Sequence, residues 1–202
     1  MALTPPRRIA IFGATGGTGS ATVRSLIKRQ DFADSLSELR LMSIVDALDD
    51  LKSSCAGEWK RPRLLLLSSS TWNDRFAAQM PAIVLSLLKT AFYHPYLDLR
   101  LATSLFAASP ELLSLLLVQP PAIVEDEPTG VEISTESVGT AISYADLGDA
   151  FVELALQDSY AQLDTVGVSS KVQNPLGKYG LELLSRIVKG LIAGYMPGMK
   201  QG

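Results

Sequence analysis

Three glycines near the amino terminus, Gly13, Gly16 and Gly19, are spaced so that they could hold a phosphate group. They follow an apolar segment at 8–13 that predicts a β-strand, and they open a segment at 18–30 whose apolar residues recur at helical spacing. A strand, a glycine turn and a helix in this order let the backbone approach a pyrophosphate, which the free N–H groups of the helix start attract. The residues expected to bind phosphate are Gly13, Thr15, Gly16, Gly17, Thr18 and Gly19.

Three consecutive serines, Ser68, Ser69 and Ser70, form a second group of candidate residues. They follow the apolar run at 64–67, which predicts a parallel strand buried on both faces. Doubly wound sheets bind their ligands at the carboxyl ends of such strands. Small residues can also simply end a strand, and this is the alternative interpretation. Trp72 comes shortly after the serines, where its indole ring could stack on a flat aromatic ligand.

The elements that would position these residues alternate between strands and helices. Hydrophobic patterns predict strands at 8–13, 63–70, 112–118, 131–134 and 165–168. They predict helices at 18–30, 37–54, 80–92, 97–108, 144–156 and 178–194, with a strand at 39–45 as the alternative for the start of the second helix. Ser143 is the expected N-cap of the helix at 144–156, with Asp146 contributing to the same helix end. This alternation predicts an α/β fold with a Rossmann-like, doubly wound parallel sheet.

Composition argues against several classes of partner. The 202 residues predict a single domain, and the net charge of -3 argues against nucleic acid and anionic membranes as partners. A single cysteine and a single histidine, Cys55 and His94, leave no spacing typical of a metal site. The basic pair near the amino terminus has no long apolar segment after it, so we expect no secretory signal, and no apolar run reaches the ~20 residues that cross a bilayer. We therefore expect a cytoplasmic protein, and the sequence gives no indication of its oligomeric state.

Five segments resemble the averufin oxidase A family, which belongs to the NmrA-like atypical short-chain dehydrogenase/reductases. They are the glycine turn at 13–19 and the segments 62–70, 93–99, 118–123 and 142–147. The resemblance covers nearly all of the chain except about 31–40. It implies an NAD(P)-dependent oxidoreductase that tailors an aromatic polyketide of the anthraquinone or xanthone type in fungal secondary metabolism. The implied cofactor is NADP or NAD, with a slight preference for NADP, and the implied partner is a small aromatic substrate.

The same resemblance implies roles for individual residues. Ser69 would hydrogen-bond a substrate carbonyl, and Tyr96 with Arg100 would stand in for a Tyr-x-x-x-Lys pair. Arginine differs from lysine in donor geometry and is a permanent cation, so a packing role for Tyr96 is the alternative. Ser68 would contact the cofactor, and Gln119 and Pro120 lie where relatives pass a loop over the nicotinamide. Residues from about 119 to 202 would form a small part that covers the substrate.

One departure from the family pattern limits this interpretation. Relatives place two or three strand–helix units between the glycine-turn helix and the helix predicted at 37–54, whereas this chain has only a few polar residues there. The missing strand would carry the residue that distinguishes NAD from NADP, so the predicted sheet is truncated. Two alternatives follow. One is a cofactor-independent isomerase or cyclase acting on the same substrate class, and the other is a degenerate non-catalytic protein or an incomplete gene model.

Overall fold

The computed structural model describes residues 17–28, 44–173, 184–185 and 187–188. Its helices are α1 (Gly17–Lys28), α2 (Ile44–Ser53), α3 (Asp74–Ala77), α4 (Ala82–Ala91), α5 (Tyr93–Ala107) and α6 (Tyr144–Leu156). Its strands are β1 (Arg63–Leu67), β2 (Ser114–Gln119), β3 (Ala122–Val124), β4 (Val131–Ser134), β5 (Ala141–Ser143) and β6 (Thr165–Ser170). The predicted strand at 8–13, the residues Gly13, Thr15 and Gly16, and most of the predicted helix at 178–194 lie outside the described residues.

Three parallel strands form most of the main sheet, whose order is β1-β2-β6-β4. β1 pairs with β2 along its whole length, from Arg63 opposite Ser114 to Leu67 opposite Val118. β2 also pairs with β6 in parallel, and β4 lies antiparallel to β6 at the end of the order. β3 and β5 form a separate two-stranded parallel sheet. The mostly parallel sheet, with helices between its strands, confirms the predicted α/β class.

Several element boundaries differ from the sequence prediction. β1 ends at Leu67, and residues 70–72 form a 3₁₀ turn followed by the single-turn helix α3. β2 begins at Ser114, because Leu112 and Leu113 are buried in the turn that follows α5. The sequence does not predict β3 and β5, since three residues are too few to show an alternating pattern.

The hydrophobic core lies between α6 and the strands of the main sheet. Along β2 and β6, every second residue points into this core, as the two-residue period of a strand requires. The apolar residues of α6 recur three and four positions apart, so they form one face of the helix. The buried cluster consists of Leu116, Val118, Ile142, Leu147, Ala150, Leu154, Val166 and Val168.

The helix α1, which follows the predicted glycine turn, packs closely against α6. A Cβ atom placed on Gly148 of α6 would lie 2.6 Å from the carbonyl carbon of Ala21 in α1. Ser25 of α1 donates a hydrogen bond to the carboxylate of Asp149 in α6. The absence of a side chain at position 148 therefore allows the backbones to approach, and α6 fixes the position of α1.

A buried carboxylate at the start of α6 joins three parts of the fold. Ser143 caps the helix as predicted, because its hydroxyl accepts a hydrogen bond from the Asp146 N–H at 3.0 Å. Asp146 contributes to the same helix end, as expected, because it supplies this N–H and is the acidic residue of the first turn. Its fully buried carboxylate accepts from the N–H groups of Thr129 and Gly130 and from the Ser170 hydroxyl. These bonds satisfy the charge and hold the loop before β4 against β6.

The contact between α1 and α6 can be tested with Gly148→Ala. Replacing a helical glycine by alanine ordinarily stabilises a helix by about 1 kcal/mol. Here the added methyl group meets the backbone of α1, so we expect the free energy of unfolding to fall by about 1–3 kcal/mol. Urea denaturation followed by circular dichroism measures this change.

Gly57→Ala is the matched control, since a Cβ atom at Gly57 meets nothing within 4 Å. Its free energy of unfolding should stay within about 0.5 kcal/mol of the original value. A Gly148→Ala variant as stable as this control would contradict the close approach of α1 and α6.

Candidate functional site

The serine loop after β1 is attached to the end of β2. The Ser68 N–H donates to the Val118 carbonyl at 2.7 Å, and the Ser70 N–H donates to the Pro120 carbonyl at 3.0 Å. The Asn73 side-chain amide donates to the Gln119 side chain at 2.9 Å. The parallel pairing thus continues past β1. It brings the predicted residues Ser68, Gln119 and Pro120 together at the carboxyl edge of the sheet, where α/β folds bind ligands.

The structure also brings together the hydroxyl groups of Ser69 and Tyr96, which lie 3.4 Å apart. Ser69 precedes the 3₁₀ turn and caps it, because its oxygen accepts a bond from the Thr71 N–H. The hydroxyl of Thr71 lies 2.9 Å from the same oxygen. Three hydroxyls are therefore in contact in the order Thr71, Ser69, Tyr96. Such a chain can pass a proton or polarise a carbonyl placed beside it.

The aromatic ring of Trp72 contacts both the hydroxyl chain and two cations. Its ring meets that of Tyr96 edge-on, with centroids 5.5 Å apart. The ammonium nitrogen of Lys89 lies 4.9 Å from the Trp72 ring centroid, and the guanidinium carbon of Arg100 lies 5.3 Å from it. Arg100 shares α5 with Tyr96, as the spacing predicts, and its described contact is with the indole ring.

A cleft of about 270 Å³ opens beside Trp72 at the carboxyl ends of β1 and β2. Three of the predicted residues, Ser68, Arg100 and Gln119, line it, whereas Ser69 and Tyr96 do not. Trp72 is shared, since it lines the cleft and contacts Tyr96. Among the described residues, the lining consists of Ser68, Trp72, Leu99, Arg100, Thr103, Ser104, Leu117 and Gln119.

The groups at this edge suit a ligand rich in amide and hydroxyl groups. Ser68 and Gln119 offer a hydroxyl and an amide, which are the donors and acceptors that a nicotinamide and its ribose would pair with. The Ser70 hydroxyl is fully buried and has no hydrogen-bond partner in the described part of the chain. At the start of α1, a Cβ atom on Gly17 would lie 2.5 Å from the ring of Tyr144, so close packing favours glycine at this position. The hydroxyl and amide groups of Ser68 and Gln119 fit the nicotinamide end of such a cofactor.

The opposite edge of the sheet is stabilised by a partly buried cation. Arg63, at the start of β1, donates to the carbonyls of Tyr160 and Leu163. Burial lowers the pKa of Arg63, and the charge of Asp164 opposes this shift. The Tyr160 hydroxyl donates to the Glu153 carboxylate at 2.8 Å, and this bond raises the pKa of Tyr160. These contacts fix the amino ends of β1 and β6, away from the cleft.

Within residues 17–28 and 44–173, no three His, Cys, Asp or Glu side chains are grouped as a metal site would require. None of the helices described there combines the length and apolar character needed to cross a membrane.

Sequence reasoning misses Thr71 and Lys89 and the part of α5 that lines the cleft. The helical spacing of Leu99, Thr103 and Tyr96 places them near one another on α5 and could have indicated a common face. Lys89 gives no such signal, because its approach to Trp72 depends on how α4 packs against the 3₁₀ turn. α5 also begins at Tyr93, earlier than predicted, since a proline is tolerated in the first turn of a helix.

Comparisons with known proteins agree with the fold and with the resemblance noted in the sequence. The chain is 32% identical to averufin oxidase A of Aspergillus flavus over 134 residues, which are 63% of this chain and 48% of that protein. It is 30% identical to oxidoreductase dmxR7 of Cryptosporiopsis over 116 residues, 57% of this chain and 49% of that protein. The chain thus spans about half the length of these curated relatives. No family model matches it.

Among solved structures, the oxidoreductase ylbE from Lactococcus lactis superimposes with a TM-score of 0.55. The sequence identity is 18%, and the match covers 89% of this chain and 97% of that one. This likeness confirms the Rossmann-like α/β fold, and the sequence relatives confirm the resemblance to averufin oxidase A.

The neighbouring serines provide a test of the hydroxyl chain. Ser69→Ala removes an oxygen that contacts Thr71 and Tyr96 and caps the 3₁₀ turn, so we expect a loss of about 1–2 kcal/mol in the free energy of unfolding. Ser70→Ala removes a buried hydroxyl that has no described partner, so stability should change by less than about 0.5 kcal/mol or rise. Urea denaturation of both variants measures these changes. Equal losses in the free energy of unfolding for the two variants would contradict the described contacts.

Proposed function

We propose that this chain, a sequence relative of averufin oxidase A, is a nicotinamide-dependent oxidoreductase that acts on an aromatic polyketide. The observation that carries the proposal is the contact between the Ser69 and Tyr96 hydroxyls beside a cleft at the carboxyl edge of a parallel sheet. Two groups predicted separately from the sequence, on elements 27 residues apart in the chain, meet at the edge where this fold binds ligands.

The proposed cofactor is NADP or NAD, which supplies or accepts a hydride when bound. Residues on both sides of the sheet edge would hold it. Ser68, Gln119 and the Pro120 backbone would flank the nicotinamide end. The phosphates would be held by Gly13, Thr15, Gly16, Gly17, Thr18 and Gly19.

The protein's own contribution would be positioning and proton transfer. A flat substrate packed on Trp72 would lie next to the hydroxyl pair, because the Tyr96 ring is in T-shaped contact with the same indole. Ser69 would donate a hydrogen bond to the substrate carbonyl oxygen and so polarise it. Tyr96 would supply the proton that this oxygen takes up, either directly or through the Ser69 hydroxyl. Thr71 holds Ser69 in place for this transfer.

Cofactor binding can be measured by calorimetry with NADPH and NADH. We expect micromolar dissociation constants, and Gly16→Asp should abolish binding because its carboxylate would repel the phosphates. Gly57→Asp adds the same charge at a position with open space around it and should leave binding unchanged. A folded protein that binds neither nucleotide would contradict the proposal.

The roles of Ser69 and Tyr96 can be tested with an anthraquinone substrate. Tyr96→Phe and Ser69→Ala should each lower kcat by at least ~100-fold, since removing a general acid or its relay has effects of about this size. Tyr93→Phe removes a phenol from an exposed position on the same helix and should retain activity. Turnover of the substrate without any nicotinamide would overturn the oxidoreductase proposal in favour of an isomerase or cyclase.

A further inference from the structure

We propose that Lys89 and Arg100 make this cleft selective for aromatic ligands that carry an ionised group, a carboxylate or a phenolate. The inference rests on the proposed function in that it takes the occupant of the cleft to be a flat aromatic molecule. It adds the charge of that molecule, which neither the sequence resemblance nor the sheet geometry specifies.

Two cations from different helices converge on one indole ring. Lys89 belongs to the last turn of α4, Arg100 lies in the middle of α5, and Trp72 belongs to the 3₁₀ turn after β1. The ammonium nitrogen and the guanidinium carbon are 4.9 Å and 5.3 Å from the ring centroid, within the ~6 Å at which a cation and a ring attract. Because both distances refer to the same centroid, the two charges lie within about one Debye length, ~10 Å, of each other.

Neither cation is neutralised within the part of the chain that the structure describes. The ion pair described there joins Arg75 to Glu136 and is exposed. Asp98 is the nearest acidic residue along α5, but residues two apart on a helix point in different directions. Two unpaired positive charges close together repel each other, and an anion near both of them offsets that repulsion. The site is therefore locally positive in a chain whose net charge is -3.

The described lining of the cleft contains no acidic side chain that would repel an anion. Arg100 is the one charged residue among the described lining residues, and the hydroxyl and amide groups that accompany it are neutral. The side chains of Leu99, Leu117 and Trp72 offer an apolar surface for an aromatic ring. A ligand that packs on this surface would place an acidic substituent near Arg100, and Lys89, which lies over the same indole ring, would add a longer-range attraction.

A phosphate of the cofactor could supply the same negative charge as an ionised substrate. The two sources differ in what the loss of a cation would change. If the cations bind the substrate, removing one lowers the affinity for an aromatic carboxylate more than the affinity for a neutral analogue. If they bind a cofactor phosphate, the same change lowers the affinity for NADPH more than the affinity for NADH.

The test is calorimetry of anthraquinone-2-carboxylate and anthraquinone-2-carboxamide, without any cofactor. We expect the carboxylate to bind at least ~10-fold more tightly, and Arg100→Gln and Lys89→Gln each to lower this preference about three- to tenfold. Arg100→Lys keeps the charge and should retain most of the preference. Lys60→Gln removes an exposed cation before β1, at the far edge of the sheet, and should leave it unchanged.

Thermal denaturation first establishes that each variant is folded. Equal affinity for the two probes, no binding of either probe, or an unchanged preference in both Gln variants would overturn the inference. The inference would also be overturned if Arg100→Gln lowered the affinity for NADPH more than that for NADH and left the preference for the carboxylate intact. Because the preference is measured without cofactor, a protein that keeps it but fails to bind NADPH contradicts the proposed function alone.

Discussion

The pairing of β2 with β1 on one side and β6 on the other is the constraint on which the site depends. β1 is matched to β2 residue by residue, and the hydrogen bonds of Ser68 and Ser70 to the end of β2 continue that match into the loop. The loop cannot turn elsewhere without losing these bonds in a partly buried region. The register of two apolar strands therefore fixes the positions of Trp72 and the serine hydroxyls. The proposed proton transfer depends in turn on the hydrophobic pattern that sets this register.

The second level of organisation is electrostatic, and the charges of Asp146, Lys89 and Arg100 fall into two groups. The buried carboxylate of Asp146 accepts hydrogen bonds from the loop before β4 and from β6, so its charge is used to hold the fold together. The cations of Lys89 and Arg100 instead lie over the ring of Trp72. The ring attracts them but carries no net charge, so their positive charge is not neutralised. A structural charge is one that the protein satisfies internally. A charge left partly unsatisfied at the edge of a cleft is available for a ligand.

Much of this architecture can be predicted from the sequence, because its main signals are local. The continuous apolar run of β1, the helical spacing of α6 and the Ser143 cap each depend on a few neighbouring residues. The expected burial of β1 on both faces is wrong, since all five of its residues are only partly buried. The partners of the Asp146 carboxylate could not be predicted, because they come from β6 and from the loop before β4, which only tertiary structure brings near. The same holds for Lys89, whose approach to Trp72 depends on the packing of α4 rather than on its neighbours in sequence. The contact between Ser69 and Tyr96 is only partly predictable. The family resemblance indicates both residues, whereas the distance between them is known only from the fold.

The groups proposed to act on the substrate come from a contiguous part of the chain, from Ser68 to Gln119. The departure that the family resemblance implies falls earlier, between the helix α1 and the helix α2. In a doubly wound fold, the units in that part of the sheet cover the adenosine end of a dinucleotide, and the carboxyl ends of the central strands serve the nicotinamide and the substrate. In the proposed function, this departure would affect how tightly and how selectively a dinucleotide is held. The described residues of the hydroxyl chain and of the cleft beside Trp72 all lie after it, so the proposed substrate chemistry and the proposed dinucleotide binding can be tested separately.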